Sequence, residues 1–207
     1  MSAFGMFWNA PTDDVFGGEL AARCTVRECR TRDVMPLIRR HYLGVRPAVT
    51  LATFALVYAN EIVGAAVFAA PPRETPKRYE ANVWELARLF VDDAMPKNTE
   101  TWFVSRCLRF VAARDVELVV SYADPSAGHH GGIYRAGNWI ADGKTDDERK
   151  TPRFDYIDKD GRTVHRAGHL NGREIAGRRA RVSKYRFVYP LSRAMRRRFA
   201  AQTEARP

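Results

Sequence analysis

A chain of 207 residues that is 45% hydrophobic carries enough apolar surface for one mid-sized globular domain, and its formal net charge of +10 favours a polyanionic partner. Three cysteines, at positions 24, 29 and 107, are too few and too scattered for a disulfide framework, which fits a reducing cytoplasm. The most apolar run, residues 48–71, has Asn60 and Glu61 at its middle, where a charge inside a bilayer costs about 3 kcal/mol, so a hairpin explains it better than a membrane span.

Residues 1–22 mix Gly, Pro and Asp with loose aromatics and read as an N-terminal arm, without the basic and apolar pattern of an export leader. "CTVRECR" then predicts a strand; its Cys24 and Cys29 fall on opposite faces, which argues against a shared metal. "TRDVMPLIRRHY" predicts a helix over 31–42, with Thr31 as N-cap, Asp33 in the first turn, and Gly44 and Pro47 ending it. Two runs rich in β-branched and small residues, 49–59 and 62–70, flank Asn60 and Glu61 as a hairpin. A strand follows over 82–91. Residues 98–116 give the clearest helix, capped by Asn98 or Thr99, with Phe103, Cys107, Phe110 and Val111 on one face.

"ELVVSYADP" predicts a strand that ends in a turn, and "GGIYRAGNW" the opening of a helix at its carboxyl end, where open sheets place their sites. Beyond Ala141 the pattern loosens into polar hairpin-like pieces, with a turn at 158–161, a strand at 184–190 and a short basic helix at 191–202. The order predicts a mixed α/β sheet, divided as arm 1–22, catalytic domain 23–190 and basic tail 191–207. Between Arg162 and Arg198 stand twelve Lys or Arg residues against one acid, Glu174, so this segment is expected to meet nucleic acid.

Asp124 stands between an apolar strand and Pro125, which fixes its backbone and aims the carboxylate over the strand end; the alternative is a plain Asp-Pro turn. The loop is similar to the D-P-P-Y loop of amino-methyltransferases, but lacks the second Pro. Tyr134 and Trp139 could stack a flipped base or simply pack in the core, and the Tyr134 hydroxyl could donate a proton. His41 could do no more than interact with the last carbonyls of its helix. The pairs His129/His130 and His165/His169 have no carboxylate or cysteine at ligand spacing, so no metal site is expected. Phosphate-binding, dinucleotide-binding and nucleophile-elbow glycine motifs are missing, which withholds support from nucleotide hydrolases, Rossmann dehydrogenases and α/β-hydrolases.

Together, "RRHYLGVRPAV", "WELARLFVDDAMPKNTETWFVSRCLRF" and "SYADPSAGHHGGIYRAGNW" resemble, in order and spacing, the Mom proteins of Mu-like phages over residues 38–140. The resemblance implies a GNAT-like mixed, mostly antiparallel sheet flanked by helices, here with a basic C-terminal extension. It implies a cytoplasmic enzyme that adds a carbamoylmethyl group to the exocyclic amine of adenine in double-stranded DNA, protecting phage DNA from restriction. The family's important residues fall on His41, Tyr42, Arg88, Asp124 and Tyr134. Asp124, with His41 as alternative, would take the amine proton, Tyr134 would protonate the leaving group, and Arg88 would anchor the anionic part of the donor or stabilise the oxyanion.

Where GNAT enzymes carry a glycine loop for the CoA pyrophosphate, this chain has "VDDAMPKNTE", so CoA binding is not assured. Lys97 and Asn98 at the following helix start, with Arg88 and Arg106, are the expected donor contacts. The donor is expected to be glycyl-tRNA or acetyl-CoA, with no tightly bound cofactor. Arg46, Trp139, Arg178, Arg179, Arg181 and Lys184 are the expected nucleic-acid contacts. The rival readings are an ordinary GNAT acetyltransferase for a protein or small amine, a non-catalytic basic DNA-binding protein, and an amino-methyltransferase.

Overall fold

A computed structural model describes residues 22–147, 149–164, 172 and 174–204. The expected arm, save residue 22, and the His165/His169 pair lie outside the described residues. The chain begins its sheet with β1 (Cys24–Glu28), antiparallel to β2 (Thr50–Tyr58). Between them a 3₁₀ turn, Thr31–Val34, leads into helix α1 (Met35–Arg40). The N-cap is Arg30 rather than Thr31: the Arg30 amide donates to Asp33 at 3.1 Å, while the Thr31 hydroxyl is shared with Thr53. α1 stops two residues short of the expected Tyr42, because His41 is already extended.

β2 turns into β3 (Glu61–Ala69) through Ala59 and Asn60, both with positive φ, one residue earlier than the sequence indicates. Two left-handed central residues match the strands' own twist, which is why this two-residue connection closes the hairpin. The long apolar run is explained by burial on both faces. Phe54, Leu56 and Phe68 enter the main core under the long helix, while Ala55, Ala65 and Val67 meet Val34 and Ile38 from the α1 side. Full burial of each large side chain contributes about 1.5–3 kcal/mol.

A short helix that periodicity missed, α2 (Glu74–Tyr79), lies between β3 and β4 (Val83–Val91); its proline-rich lead-in reads as loop. Helix α3 (Thr99–Ala112) buries Phe103, Cys107 and Val111 as expected. Trp102, Val104 and Leu108 are also buried, so the apolar arc is broad and leaves Phe110 at its margin, 42% exposed. β5 (Leu118–Ala123), α4 (Gly132–Ala136), β6 (Ile140–Lys144) and β10 (Tyr185–Pro190) complete a seven-stranded sheet of order β1-β2-β3-β4-β5-β10-β6. β7 (Phe154–Asp158), β8 (Thr163–Val164) and β9 (Ile175–Ala180) form a separate three-stranded sheet.

The basic tail is not a loose extension. Helix α5 (Arg193–Glu204) buries Met195 and Phe199 against Tyr79, Leu118 and Val188, and Arg198 donates to the Tyr79 carbonyl at 2.6 Å.

Every neighbouring pair in the large sheet is antiparallel except β4 and β5. These two pair only at Val83–Leu118, Trp84–Val119 and Glu85–Val120. Beyond Glu85, β4 follows β3 and β5 follows β10, so a wedge opens in the middle of the sheet. A bulge aids the departure: Phe68 opposes Leu86 and Val67 opposes Arg88, leaving Ala87 as the extra residue that bends β4.

Candidate functional site

The wedge holds a cavity of about 340 Å³, lined by β4 residues Glu85 to Leu89, β5 residues Ser121 to Ala123, the His41–Leu43 corner, the Gly128–Tyr134 segment and Lys184. The corner forms because the Gly44 amide donates to the His41 carbonyl at 2.7 Å with Gly44 at φ +63°, a left-handed value that suits glycine. The Arg88 guanidinium fixes the corner from β4, donating to the Val45 carbonyl at 2.8 Å and to the Ala87 carbonyl at 2.6 Å. From the other side, the loop after β5 brings His129 to Tyr42, with ring centroids 4.9 Å apart. The two stretches of sequence that looked chemical therefore meet at one hollow.

Gly131 sets the inner wall. A Cβ there, at φ +82°, would lie 2.2 Å from Phe187, so only glycine lets α4 settle on that ring. Tyr134 then stacks on Phe187 at 5.0 Å and meets Trp139 edge-on at 5.2 Å. The Ser121 hydroxyl donates to the Leu86 carbonyl at 2.8 Å, so its 2.7 Å contact with Tyr134 is one in which the phenol donates. This chain spans the wedge where the backbone ladder has lapsed. Burial pushes the Tyr134 phenol up to about 12, so it keeps its proton at neutral pH.

The acid–base character of the cavity departs from the sequence expectation. Burial alone would raise the Asp124 carboxyl, but hydrogen bonds from Ser126 and the Lys184 ammonium bring it below its ordinary value. Its Oδ1 accepts from the Ser126 amide at 3.0 Å and hydroxyl at 2.5 Å, and Oδ2 lies 2.9 Å from Lys184 Nζ. A carboxylate so engaged is a poor base. Asp124 is the anchor of Lys184 and the N-cap of the turn Pro125–Ala127. His41 is pushed down to about 4 by burial, Arg88 and His129, and is neutral at pH 7. Its Nδ1 accepts from the Leu43 amide at 3.2 Å, which places the ring proton on Nε2.

Glu85 is the group that sequence reasoning missed, although it stands three residues before Arg88 in the same "WELARL" run. Burial pushes its carboxyl up to about 7, against the opposing pull of Arg88 and Lys184. A carboxyl titrating there, on the wall of a cavity, is suited to general base work at neutral pH. The only signal in the sequence was an acid three residues before Arg88 in a strand whose other residues are apolar.

The remaining expected contacts divide. Lys184 lines the cavity, whereas Arg46 is exposed on the neighbouring turn. Trp139 is 7% exposed inside the main core, against Tyr134 and Tyr189, and is not a stacking surface for nucleic acid. Arg106 lies over the Trp102 ring on α3 and does not line the cavity. Lys97 and Asn98 are exposed at the start of α3, with Asn98 in a left-handed N-cap that makes no side-chain cap bond. Arg178 and Arg179 are exposed on β9, and Arg181 is paired with Asp155 at 2.7 Å. Among the described residues no cluster of three or more His, Cys, Asp or Glu could hold a metal ion.

The turn before α3 has no glycine, and part of its backbone is already engaged. The Ala94 amide is spent on the Asp92 side chain and the Met95 amide on the Asp92 carbonyl, while the Thr99 amide points to Pro96. The Asp92 carboxylate is paired with Arg40 at 2.8 Å, and Asp93 is exposed. No described helix is long and apolar enough to cross a membrane.

A model of the Mom protein family matches residues 23–207. No curated protein sequence matches the chain. An agmatine N-acetyltransferase in its apo form is 12% identical with a TM-score of 0.52, covering 81% of this chain and 99% of its own. A Bacillus subtilis acetyltransferase in complex with CoA is 11% identical with a TM-score of 0.51, covering 82% of this chain and 99% of its own. A GNAT family acetyltransferase from Elizabethkingia anophelis, with acetyl-CoA bound, is 11% identical with a TM-score of 0.49, covering 81% of this chain and 98% of its own. At such identities the likeness is one of fold: the chain has the mixed sheet of the GNAT acetyltransferases, flanked by helices.

Proposed function

The chain belongs to the Mom protein family, and from that premise we propose that it is an acyltransferase-type enzyme that modifies adenine in DNA, placing a carbamoylmethyl group on the exocyclic amine. In a phage or prophage this shields the DNA from restriction. The observation that carries the reading is the meeting of the His41–Tyr42 corner with the loop after β5 over Glu85, in a cavity of about 340 Å³. That volume lies at the small-molecule end of ordinary ligand cavities and suits one extruded base.

An adenine flipped from the duplex stacks at the mouth against Tyr42 and His129, with its amine toward Glu85. The amine nitrogen attacks the carbonyl carbon of an activated glycyl ester; the carbonyl electrons move to oxygen, and Arg88 with the β4 amides beyond Glu85, which β5 no longer pairs, holds the oxyanion. Glu85 takes the amine proton. As the carbonyl re-forms, the ester oxygen leaves with a proton from Tyr134. The glycyl amine then attacks the ring carbon and expels the original nitrogen, which becomes the terminal amide, so the carbamoylmethyl product needs no further reactant. A glycyl unit supplies both carbons and the nitrogen that acetyl transfer lacks, and glycyl-tRNA presents it without phosphates at the α3 turn.

Mass spectrometry of nucleosides from DNA of cells expressing the chain tests this. An adenosine heavier by two carbons, three hydrogens, one nitrogen and one oxygen is the expected result. Unmodified adenosine, with acetylation of a protein or small amine from acetyl-CoA, would replace the reading by an ordinary N-acetyltransferase.

A further inference from the structure

A second, larger cavity of about 890 Å³ adjoins the wedge, and the two share Glu85, Tyr122 and Lys184. Its composition is one-sided: Lys77, Arg78, Lys144, Arg149, Arg153, Lys184 and Arg186 line it against the acids Glu74, Glu85 and Asp146. Seven cations face three carboxylates, and burial holds one of the three, Glu85, up at about 7. The cations come from both walls. Lys77 and Arg78 stand on α2, and Lys144, Arg149 and Arg153 on β6 and the segment after it.

Part of this charge is structural and part is offered outward. Arg186 is 8% exposed at its side chain and is locked on Asp142 at 2.8 Å. Lys77 and Arg149 keep 65% and 48% of their side chains exposed, and they meet Glu74 and Asp146 at 3.5 and 3.9 Å. Asp146 is shared between Arg149 and Arg153, so a single carboxylate faces two guanidiniums. The Lys77–Glu74 pair is exposed on both sides and worth under about 1 kcal/mol, whereas Asp146 is 13% exposed and has to be divided between its two guanidiniums, which leaves both with charge to offer a phosphate. Cations spread along two walls, instead of gathered at one point, match a chain of phosphates more closely than a single phosphoryl group.

We infer that this basic groove holds the phosphodiester backbone of the DNA strand beside the extruded nucleotide, whose base passes by Tyr122 and Lys184 to reach Glu85. The inference rests on the proposed function and relocates the docking surface. Of the contacts the sequence assigned to nucleic acid, Lys184 lines the groove, whereas Arg46, Trp139, Arg178, Arg179 and Arg181 do not; the groove draws further on α2 and the β6 side, which the sequence left unassigned.

Equilibrium binding to an adenine-containing duplex DNA, measured over a series of salt concentrations, tests it. In Lys77→Ala/Arg149→Ala the slope of log affinity against log salt is expected to fall by about 2, roughly one per cation removed. Arg178→Ala/Arg179→Ala is expected to leave it unchanged, and Lys77→Arg/Arg149→Lys to restore it, which separates charge from any loss of fold. An unchanged slope in the groove pair overturns the inference, as does a loss confined to an RNA hairpin of equal length. Nucleoside masses keep the two claims apart. Modified adenine with a groove-independent slope removes the groove alone, and a groove-dependent slope without modified adenine removes the proposed function alone.

Discussion

The β4/β5 wedge and the three-stranded β8-β7-β9 sheet hold their charges under opposite conditions. In the wedge, Glu85, Arg88, Asp124 and Lys184 lie close together and partly out of water, and burial or a neighbour shifts the carboxylates and the arginine. On β9, Arg178 and Arg179 stand in solvent, with the Arg178 guanidinium resting 4.7 Å over the Phe154 ring. Density of charge along the sequence marked the second region, yet it is the first whose charges depend on one another. Coupling, which requires low dielectric and convergence, is what distinguishes a site from a charged face.

The sharpest way to break that contrast is Glu85→Gln, an isosteric change that removes only the titration. The rate of the wild-type reaction is expected to rise with pH through about 7, since a general base works deprotonated, and the variant should lose this limb with a drop of roughly 100- to 10,000-fold. Stability supplies an independent reading. The folded-state value of about 7 lies above the unfolded value of roughly 4.3, so the protein loses stability as pH rises through that window. The variant's Tm should therefore gain on the wild type more at pH 8 than at pH 4, by thermal unfolding at both. A variant with full activity and an unaltered pH limb would move the base elsewhere.

Tyr134→Phe comes next. The ring keeps its stack on Phe187 at 5.0 Å and its contact with Trp139, so only the hydroxyl to Ser121 is lost. Stability should fall by about 1 kcal/mol, and activity by on the order of 100-fold if the phenol protonates the leaving group. A fall in stability without a fall in turnover would confine Tyr134 to bridging the wedge.

Asp124→Asn separates base from anchor. If Asp124 is the counter-ion of Lys184, its neutralisation leaves the ammonium uncompensated beside Glu85, and the pH limb should move to lower pH while remaining present. Disappearance of the limb would instead return the role of base to Asp124.

What the sequence disclosed follows from the range of each signal. The hairpin 50–69, the helix α3 and the strand that leads to Asp124 have strong periodic or apolar patterns, and all three stand where they were expected within a few residues. Short elements whose order comes from packing did not show: α2 carries Pro76 inside a six-residue helix, and Tyr79 holds it by contacts with Phe199 and Asp142, distant in sequence. The corner at His41 and the end of β5 were legible because Gly44 and Pro125 punctuate them. Glu85 was not, because its character comes from burial in the folded sheet, set against the opposing pull of Arg88 and of Lys184, about a hundred residues away. Trp139 is the converse case: of its two readings, base stacking and core packing, the burial of the ring supports packing.

The smallest expected effect belongs to the β9 surface. Arg178→Ala/Arg179→Ala should alter stability by no more than about 0.5 kcal/mol, since neither side chain is buried and a solvent-exposed guanidinium over a half-buried ring contributes little. Arg181→Ala, two residues further on, should cost about 1–3 kcal/mol, because Asp155 is only 9% exposed at its side chain and loses a partner at 2.7 Å. Chemical denaturation of both variants at low salt measures the difference. Three arginines that look alike in the sequence are thereby ranked by what lies beneath them: if all three changes cost the same, the small sheet is no passive charged face, and the contrast with the wedge loses its physical basis.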